Sequence, residues 1–420
     1  MLVTAAALTL GVVAWAAPAI QQATFRATVD LVAVDVQVVD KEGRPIPNLG
    51  PDKFEVLIDG RRRRVVSADF VRHAETASIV PARPTSDDPA SAALPGRVFM
   101  VAVDVNSFSV GDSRGVIAAA RRFVKALLPE DRVGLFAFPV GPKMGPTEDH
   151  LAVELQLDKI VGASQSMESS FHLSASEVVD ITAENASIVS SPARGAAAAN
   201  TTVVAAESGT LRRVLLRECG GLTDQTCATN IRIDAESMAY FYEGQATMAL
   251  SGLTSIIRDL SALPGRKTVV LLSAGMTASD RPGGRPNVDD LAQALGRTAA
   301  ESNASVYALH IDTGAVQAYA AEKRRSTRST TSAERESALN SRLLDMFAGA
   351  SGGTMLRVLV GSGEGALDRV LRETSSHYLL GVEPADSDRG RLRELKVKVS
   401  QPGVTVRSRL WVSVPKKKPL

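Results

Sequence analysis

The stretch Val98-Phe-Met-Val-Ala-Val-Asp104 decides the fold class of this chain. Its first six residues are apolar and rich in β-branched types, which is typical of a strand buried on both faces of a parallel sheet. The carboxylate at its end lies where open α/β sheets bind ligands. The next segment has apolar residues at a 3-4-3 spacing, which indicates a helix packed on that sheet: Ile117, Ala120, Val124 and Leu127.

The same alternation of strand and helix continues along the middle of the chain. Further buried strands are predicted at residues 132–138, 268–272, 305–311 and 354–360, with helices between them. This order predicts an α/β fold with a doubly wound, mostly parallel sheet and helices on both faces. A long helix is predicted over residues 235–263, before the strand that starts at 268.

The two ends of the chain carry a different pattern. Residues 23–72 and 376–415 are predicted to be short strands joined by polar turns, with Asp59-Gly60 as a hairpin turn and residues 404–414 as one last strand. No helical segment separates these strands, so they do not extend a doubly wound sheet. We expect either one small β-sandwich, with the α/β domain of residues 97–375 inserted in it, or a separate β-module at each end.

Two polar segments interrupt this plan. Residues 73–96 contain many prolines, serines and alanines and are predicted to be a linker. Residues 165–235 are predicted to be an insertion, and the first part is rich in Ser, Ala, Thr and Asn, which is typical of a segment without a packed core. Its second part holds Cys219 and Cys227. In an exported chain these favour a local disulfide, with free thiols or a metal site as alternatives.

The N-terminus predicts export. Residues 2–20 are almost wholly apolar and contain two small-x-small cleavage patterns, Ala14-Trp-Ala16 and Ala17-Pro-Ala19. Residues 1–19 are therefore interpreted as a signal peptide. Since no Lys or Arg precedes the apolar run, an uncleaved anchor is the alternative. We expect a secreted, periplasmic or cell-envelope protein that meets the membrane only through an uncleaved leader.

Composition argues against two classes of function. A net charge of +2 and an aromatic content of 4% do not suggest a nucleic-acid partner. The sequence has no Gly-x-Ser-x-Gly and no His-Glu-x-x-His motif, and its five histidines are scattered. We therefore expect a non-enzymatic protein, and a hydrolase is the least favoured reading.

Several segments together resemble a known family. They are Leu31-Val-Ala-Val-Asp-Val-Gln-Val-Val-Asp40, Leu128-Pro-Glu-Asp-Arg-Val-Gly134, Leu263-Pro-Gly-Arg-Lys-Thr-Val-Val-Leu-Leu-Ser-Ala-Gly275 and Ser376-His-Tyr-Leu-Leu-Gly381. In this order they are similar to the bacterial VWFA-related domain proteins, exported proteins of Acidobacteria type with a von Willebrand factor A-like domain. The resemblance covers most of the chain after the leader, and it implies binding to a protein or cell-envelope component.

The resemblance also implies a metal-ion-dependent adhesion site after the first α/β strand. In such sites an Asp-x-Ser-x-Ser motif, a Thr from a second loop and an Asp after a later strand hold Mg²⁺ or Mn²⁺. This chain matches the first motif only in part. Asp104 stands first, but Asn106 and Phe108 replace the two serines, while Ser107 and Ser109 are one residue out of register.

The other two ligand positions also depart from the family pattern. Thr147 is the candidate for the second loop, after the predicted loop of residues 139–146, and it is also the expected cap of the next helix. Ser273-Ala274-Gly275 replaces Thr-Asp-Gly, so one carboxylate is missing. Asp280 supplies the missing carboxylate only if its loop folds back towards Asp104.

Two interpretations of this region follow. In one, a degenerate site binds Mg²⁺ or Mn²⁺ weakly, through Asp104, Asn106, Ser107 and Thr147. In the other, Asp104 caps local backbone amides, and a metal-free surface contacts a partner through Ser109, Ser273 and Asp280. We expect an exported protein for adhesion or envelope interaction in either case. The alternative is a structural envelope protein whose β-sandwich makes the contacts.

Overall fold

The computed structural model describes residues 31–73, 96–189, 209–312, 330–358 and 363–416. The predicted signal peptide and nearly all of the predicted linker lie outside these residues. In the part described, none of the helices is long and apolar enough to cross a membrane. The described chain is an α/β protein with one six-stranded sheet and two four-stranded antiparallel sheets.

The secondary structure follows the chain in three blocks. The strands are β1 (Val32–Val39), β2 (Phe54–Ile58), β3 (Arg61–Arg63), β4 (Val65–Arg72), β5 (Val98–Asp104), β6 (Arg132–Phe138), β7 (Lys143–Thr147), β8 (Lys267–Ser273), β9 (Ala304–Ile311), β10 (Thr354–Val358), β11 (Ser376–Val382), β12 (Leu392–Val399), β13 (Thr405–Arg407) and β14 (Trp411–Ser413). The described helices are α1 (Val110–Lys125), α2 (His150–Leu157), α3 (Ala175–Val189), α4 (Gly209–Glu218), α5 (Gln225–Leu260), α6 (Asp289–Glu301), α7 (Thr330–Ala350) and α8 (Gly363–Thr374).

The six-stranded sheet is organised around β5. Its order is β10-β9-β8-β5-β6-β7, with β7 antiparallel at one edge and the other strands parallel. Every residue of β5 is buried, as its apolar run predicts. Counted from β5, this is the doubly wound order 3-2-1-4-5-6. The strand order therefore reverses between β5 and β8, and ligands of such sheets bind at the carboxyl ends of the strands at this switch point.

Helices cover both faces of the sheet, as predicted. Apolar residues of α1, α2 and α8 pack on one face, among them Phe123, Leu157 and Val370. Residues of α5, α6 and α7 pack on the other, among them Leu253 and Phe347. With both faces covered, a ligand reaches this sheet only at an end of its strands.

The two ends of the chain pair with each other. β11 lies between β1 and β4, and β12 lies between β2 and β14, all antiparallel. The two sheets share one core, in which Val36, Phe54, Tyr378 and Leu395 are buried. The hairpin at Asp59-Gly60 joins β2 to β3 as expected, since both residues have the positive φ that this turn requires. Of the two arrangements that the sequence allows, the shared sandwich is the one observed.

The last predicted strand, residues 404–414, is two short strands instead. β13 pairs with β1 in one sheet, and β14 pairs with β12 in the other. Between them the chain is held by the α/β domain. Arg409 Nη1 donates to Asn303 Oδ1 at 2.8 Å, and Leu410 N donates to Ala350 O at 2.9 Å. These contacts interrupt the ladder, so the chain changes sheet.

The described part of the insertion has a packed core, contrary to the expectation of a polar segment. α3, α4 and the first turns of α5 enclose buried Val178, Ile181, Leu211 and Ile231. The average composition of the first part of the insertion is polar, so the apolar residues along one side of α3 did not stand out in the sequence. Helix α5 begins at Gln225, ten residues before the predicted start, and ends at Leu260, three residues before the predicted end.

The start of α5 is fixed by a cap and a disulfide. The side chain of Asp224 accepts a hydrogen bond from Cys227 N at 3.0 Å. The disulfide predicted between Cys219 and Cys227 is present, and it joins the end of α4 to the first turn of α5. The insertion is therefore clipped to the long helix that covers the sheet.

One edge strand, β7, lies in the predicted loop of residues 139–146. The prolines of this segment favour a loop, but an edge strand tolerates proline because it needs no donor on its outer side. The helix after it begins at His150, and its cap is the side chain of Asp149, which accepts from Ala152 N at 3.0 Å. The prediction that Thr147 caps this helix is therefore wrong.

The shared sandwich core predicts a large loss of stability for Leu380→Ala. Leu380 is fully buried on β11, between Val34 of β1 and Ala68 of β4. We expect a loss of about 2–5 kcal/mol in the free energy of unfolding, because the truncation leaves a cavity. Urea denaturation followed by circular dichroism measures it.

Leu410→Ala is the matched control. Leu410 is 44% exposed, so its truncation is expected to change the free energy of unfolding by no more than about 0.5 kcal/mol. Equal losses for the two variants would contradict the placement of β11 in the centre of the core.

Candidate functional site

Asp104 and Ser273 meet at the switch point of the six-stranded sheet. Asp104 ends β5, Ser273 ends the neighbouring β8, and the two side chains are 4% and 0% exposed. Ser273 Oγ donates to Asp104 Oδ2 at 3.0 Å and accepts from Gly275 N at 3.1 Å. The crevice in which such sheets bind ligands is thus closed by a hydrogen bond between the two strands.

A second link joins the same two loops through Ser107. Its hydroxyl donates to Asp104 O at 2.7 Å and accepts from Ala274 N at 2.9 Å. The loop after β5 is therefore tied to the loop after β8 by side-chain hydrogen bonds on both sides of Asp104. We call this pair of links, through Ser273 and Ser107, the edge lock.

Burial dominates the protonation of Asp104. Loss of water contact raises the pKa of this carboxyl to about 7, and the Ser273 hydroxyl and the Ser107 backbone amide oppose the rise only in part. A carboxyl that retains its proton near neutral pH is a poor ligand for a hard cation, because the cation must displace that proton.

Phe108 and Asn106 diverge from the two ligand serines in different ways. Phe108 is fully buried in the core beneath α1, so its position faces away from any ligand site. Asn106 is half-buried and lines a groove of about 200 Å³ beside α5. We call this the α5 groove, and its other walls include Gln165, Tyr240, Phe241, Gly244 and Met248.

Thr147 lies at the opposite end of the sheet from Asp104. Asp104 pairs with Phe138 at the carboxyl end of β6, whereas Thr147 pairs with Val133 near its amino end. Five residues of strand separate these levels, which is roughly 17 Å. The prediction that Thr147 joins Asp104 in a metal site is therefore wrong, because β7 runs antiparallel and carries Thr147 away. Its Oγ1 accepts from Asp149 N at 3.1 Å instead.

The three residues predicted for a partner surface have different positions. Ser109 is exposed and caps α1, where its Oγ accepts from Asp112 N at 3.2 Å. Asp280 is exposed too, but its carboxylate lies 3.4 Å from Arg335, in an ion cluster that includes Asp180. Ser273 is fully buried, so it supports the edge lock and cannot touch a partner.

The residues present do not fit a Mg²⁺ or Mn²⁺ site. Across the ranges that the structure describes, no three His, Cys, Asp or Glu side chains gather closely enough to hold a metal ion. The oxygen atoms that do meet are one carboxyl and two hydroxyls, and the edge lock already uses them. Hard cations of this kind need several free oxygen ligands.

His310 is a neighbour that sequence reasoning missed. It pairs with Ser273 at the carboxyl end of β9, is buried, and its Nε2 lies 3.2 Å from Ala274 O. Burial lowers the pKa of this imidazole, so the ring is neutral at neutral pH and donates from Nε2. The rule that placed Asp104, applied to the end of the strand at 305–311, would have found it.

Around the edge lock, several uncharged side chains face solvent. The segment after α2 runs along the loop after β5, since Ala163 N donates to Val105 O and Ser164 N to Phe108 O, both at 2.8 Å. Val110 is 59% exposed and Val161 57%. We define the edge surface as Asn106, Ser109, Val110 and Val161.

Comparisons with known proteins do not assign this chain to a family. No protein-family model matches the chain, and no curated protein matches it. The resemblance to von Willebrand factor A-like proteins therefore depends on the quoted segments.

The buried Asp104 predicts a pH dependence of stability. A carboxyl with a folded-state pKa raised to about 7 retains its proton in the folded chain after the unfolded chain has lost it, so stability falls as the pH rises from about 4 to about 7. Asp104→Asn stays neutral. We expect the free energy of unfolding of the variant to rise relative to that of the wild type over this pH range, by up to about 4 kcal/mol. Urea denaturation at a series of pH values measures the difference.

Asp52→Asn is the control for this series. Asp52 is exposed, so its substitution is expected to leave the free energy of unfolding within about 0.5 kcal/mol of the wild type at each pH. If Asp104→Asn and the wild type showed the same dependence on pH, the proposed burial of a protonated carboxyl would be wrong.

Proposed function

We propose that this chain is an exported, von Willebrand factor A-like binding protein that recognises another protein through its edge surface, with neither a metal ion nor catalysis. The observation that carries the proposal is the edge lock. Asp104 and Ser107, the two residues nearest to metal-ligand positions, instead join the loops after β5 and β8.

The arrangement of the sheet supports a recognition role at this end. The switch point lies between β5 and β8, and the loops that follow both strands meet there. At the other end, the amino ends of the strands adjoin the sandwich, since Arg409 bonds to Asn303 beside the start of β9. A partner therefore has access to the carboxyl end.

The chemistry of the edge surface favours a protein over a charged ligand. Val110 and Val161 expose apolar surface, and Asn106 and Ser109 offer neutral polar groups. A contiguous apolar patch rimmed by polar groups is a mark of protein contacts. Because the edge lock holds the loops in place, binding costs less conformational entropy than it would with mobile loops.

The disulfide supports export. Disulfides persist in oxidising compartments and are rare in the cytosol. The bridge between Cys219 and Cys227 is thus in keeping with a secreted or envelope protein.

Val110→Glu tests the edge surface. Val110 is the first residue of α1, where an added carboxylate is favoured by the helix dipole, so the fold is retained. Capture of a partner from an envelope extract by the immobilised chain is expected to fall by at least about tenfold, because a charge enters an apolar contact. EDTA in the extract is expected to have no effect.

Val66→Glu is the matched control, since Val66 is a half-exposed valine on β4 of the sandwich. It is expected to capture the same protein as the wild type. Capture that EDTA abolishes would overturn the metal-free mode. Capture that only Val66→Glu abolishes would favour the alternative in which the sandwich makes the contacts.

A further inference from the structure

Helix α5 presents an exposed face without charge. At 36 residues it is about 54 Å long, and one side packs on the sheet and on the insertion through residues such as Ile231 and Leu253. The opposite side carries Ile233, Ser237, Tyr240 and Gly244 at spacings of three and four residues. We define the α5 stripe as the positions along the middle of this side, which are Thr226, Asn230, Ile233, Ser237, Tyr240, Phe241, Gly244, Met248, Ser251 and Ser255.

The α5 stripe differs from an ordinary surface helix. A helix that packs on a core normally carries charged side chains on its solvent face. The positions of the α5 stripe are all uncharged. The first exposed charged residue of α5, Arg258, follows the end of the stripe. Ile233 and Tyr240 are each 59% exposed and Met248 is 48% exposed. Along about 44 Å of helix surface, α5 itself thus contributes no exposed charged side chain, and the charge nearest to Tyr240, that of Arg285, is paired with Glu243.

Gly244 has no role inside the subunit. A Cβ at this position would meet nothing within 4 Å, and φ is not positive there. Glycine in the interior of a helix is destabilising relative to alanine, because it loses more conformational freedom on folding. On the α5 stripe, the absence of a Cβ at Gly244 leaves room for the backbone of a second helix to approach closely.

The residue types of the α5 stripe follow a similar order from either end of the helix. About a point between Tyr240 and Phe241, Ser237 mirrors Gly244, and Ile233 mirrors Met248. The small residues thus stand against small ones, and the large apolar residues against large apolar ones.

The match extends to both ends of the α5 stripe. Asn230 mirrors Ser251, and Thr226 mirrors Ser255, so polar positions meet polar positions. A surface that is complementary to its own reverse fits an isologous two-fold contact, in which residue i of each copy meets residue j of the other.

The α5 groove lies at the centre of this pattern. It is walled by Tyr240, Phe241 and Gly244, and its volume of about 200 Å³ exceeds the roughly 150 Å³ of a cavity that binds benzene. Arg285 lies 3.8 Å above the Tyr240 ring and is itself held by Glu243. Tyr240 is thereby fixed as an exposed aromatic anchor, the type of residue that dominates protein contacts.

We propose that a second copy of this chain covers the α5 stripe, so that two α5 helices pack antiparallel about a two-fold axis at Tyr240 and Phe241. Tyr240 of each copy enters the α5 groove of the other, and Ser237 of each copy lies against Gly244 of the other. This contact adjoins the edge surface at Asn106, which lines the α5 groove, but it does not use the exposed valines of that surface, Val110 and Val161.

Gly244→Gln tests the contact in the full mature chain. Glutamine is a good helix former and has open space within the subunit, so the variant folds at least as well as the wild type. Its side chain keeps the second helix away. Sedimentation equilibrium is expected to show a wild-type dimer and a variant with self-association weakened by at least about tenfold.

Gly115→Gln is the matched control. Gly115 lies in α1, is exposed, and also has open space for a side chain. It is expected to remain dimeric. A monomeric wild type over about a hundredfold range of concentration would overturn the proposal, and so would a dimer that both glycine variants leave intact.

The direction of packing is tested by cross-linking. Ser237→Cys and Gly244→Cys chains are mixed and treated with a short bis-maleimide, while the native cysteines remain in their disulfide. Cross-links between one chain of each kind are expected to exceed links between identical chains. An excess of links from Ser237→Cys to itself would indicate parallel packing and would overturn the antiparallel contact.

Discussion

The hydrogen bond from Ser273 to Asp104 is the constraint on which this molecule's carboxyl edge depends. It crosses the switch point of a doubly wound sheet, where an open crevice would otherwise receive a ligand. Ser107 adds a second link, because its hydroxyl joins the backbone oxygen of Asp104 to the backbone amide of Ala274. The edge lock therefore supplies from side chains the cross-connection that a bound cation would supply in an adhesion site.

The opposite end of the sheet is fixed by a buried polar network. Tyr307 donates to Gln37 at 2.7 Å, and Gln37 donates to the backbone oxygen of Glu373 at 2.8 Å. The fully buried carboxylate of Glu373 in turn receives Arg369 and Arg407. Unpaired charges of this kind would be costly in the interior, so the network holds the sandwich and the α/β domain in one arrangement. These residues of the opposite end are therefore engaged in contacts within the subunit.

The secondary-structure elements could be predicted from local sequence patterns. The geometry of the candidate site, in contrast, depends on contacts between residues far apart in the chain. The apolar run before Asp104 was sufficient to place the central strand, because burial on both faces leaves a strong mark in sequence. Thr147 was misplaced because an antiparallel edge strand reverses the chain, which spacing alone does not reveal. Ser107 was a candidate ligand by its residue type, yet its partners Asp104 and Ala274 are set by how two distant loops meet. The core of the insertion was missed because its average composition is polar.

The central claim is that the loops after β5 and β8 are held together without a cation. Amide hydrogen exchange at Ala274 and Gly275 tests this most directly, because their N–H groups donate to the two serines of the edge lock. We expect strong protection that is equal in EDTA and in Mg²⁺, and loss of protection at Ala274 in Ser107→Ala. Protection that develops only when Mg²⁺ or Mn²⁺ is added would contradict the claim.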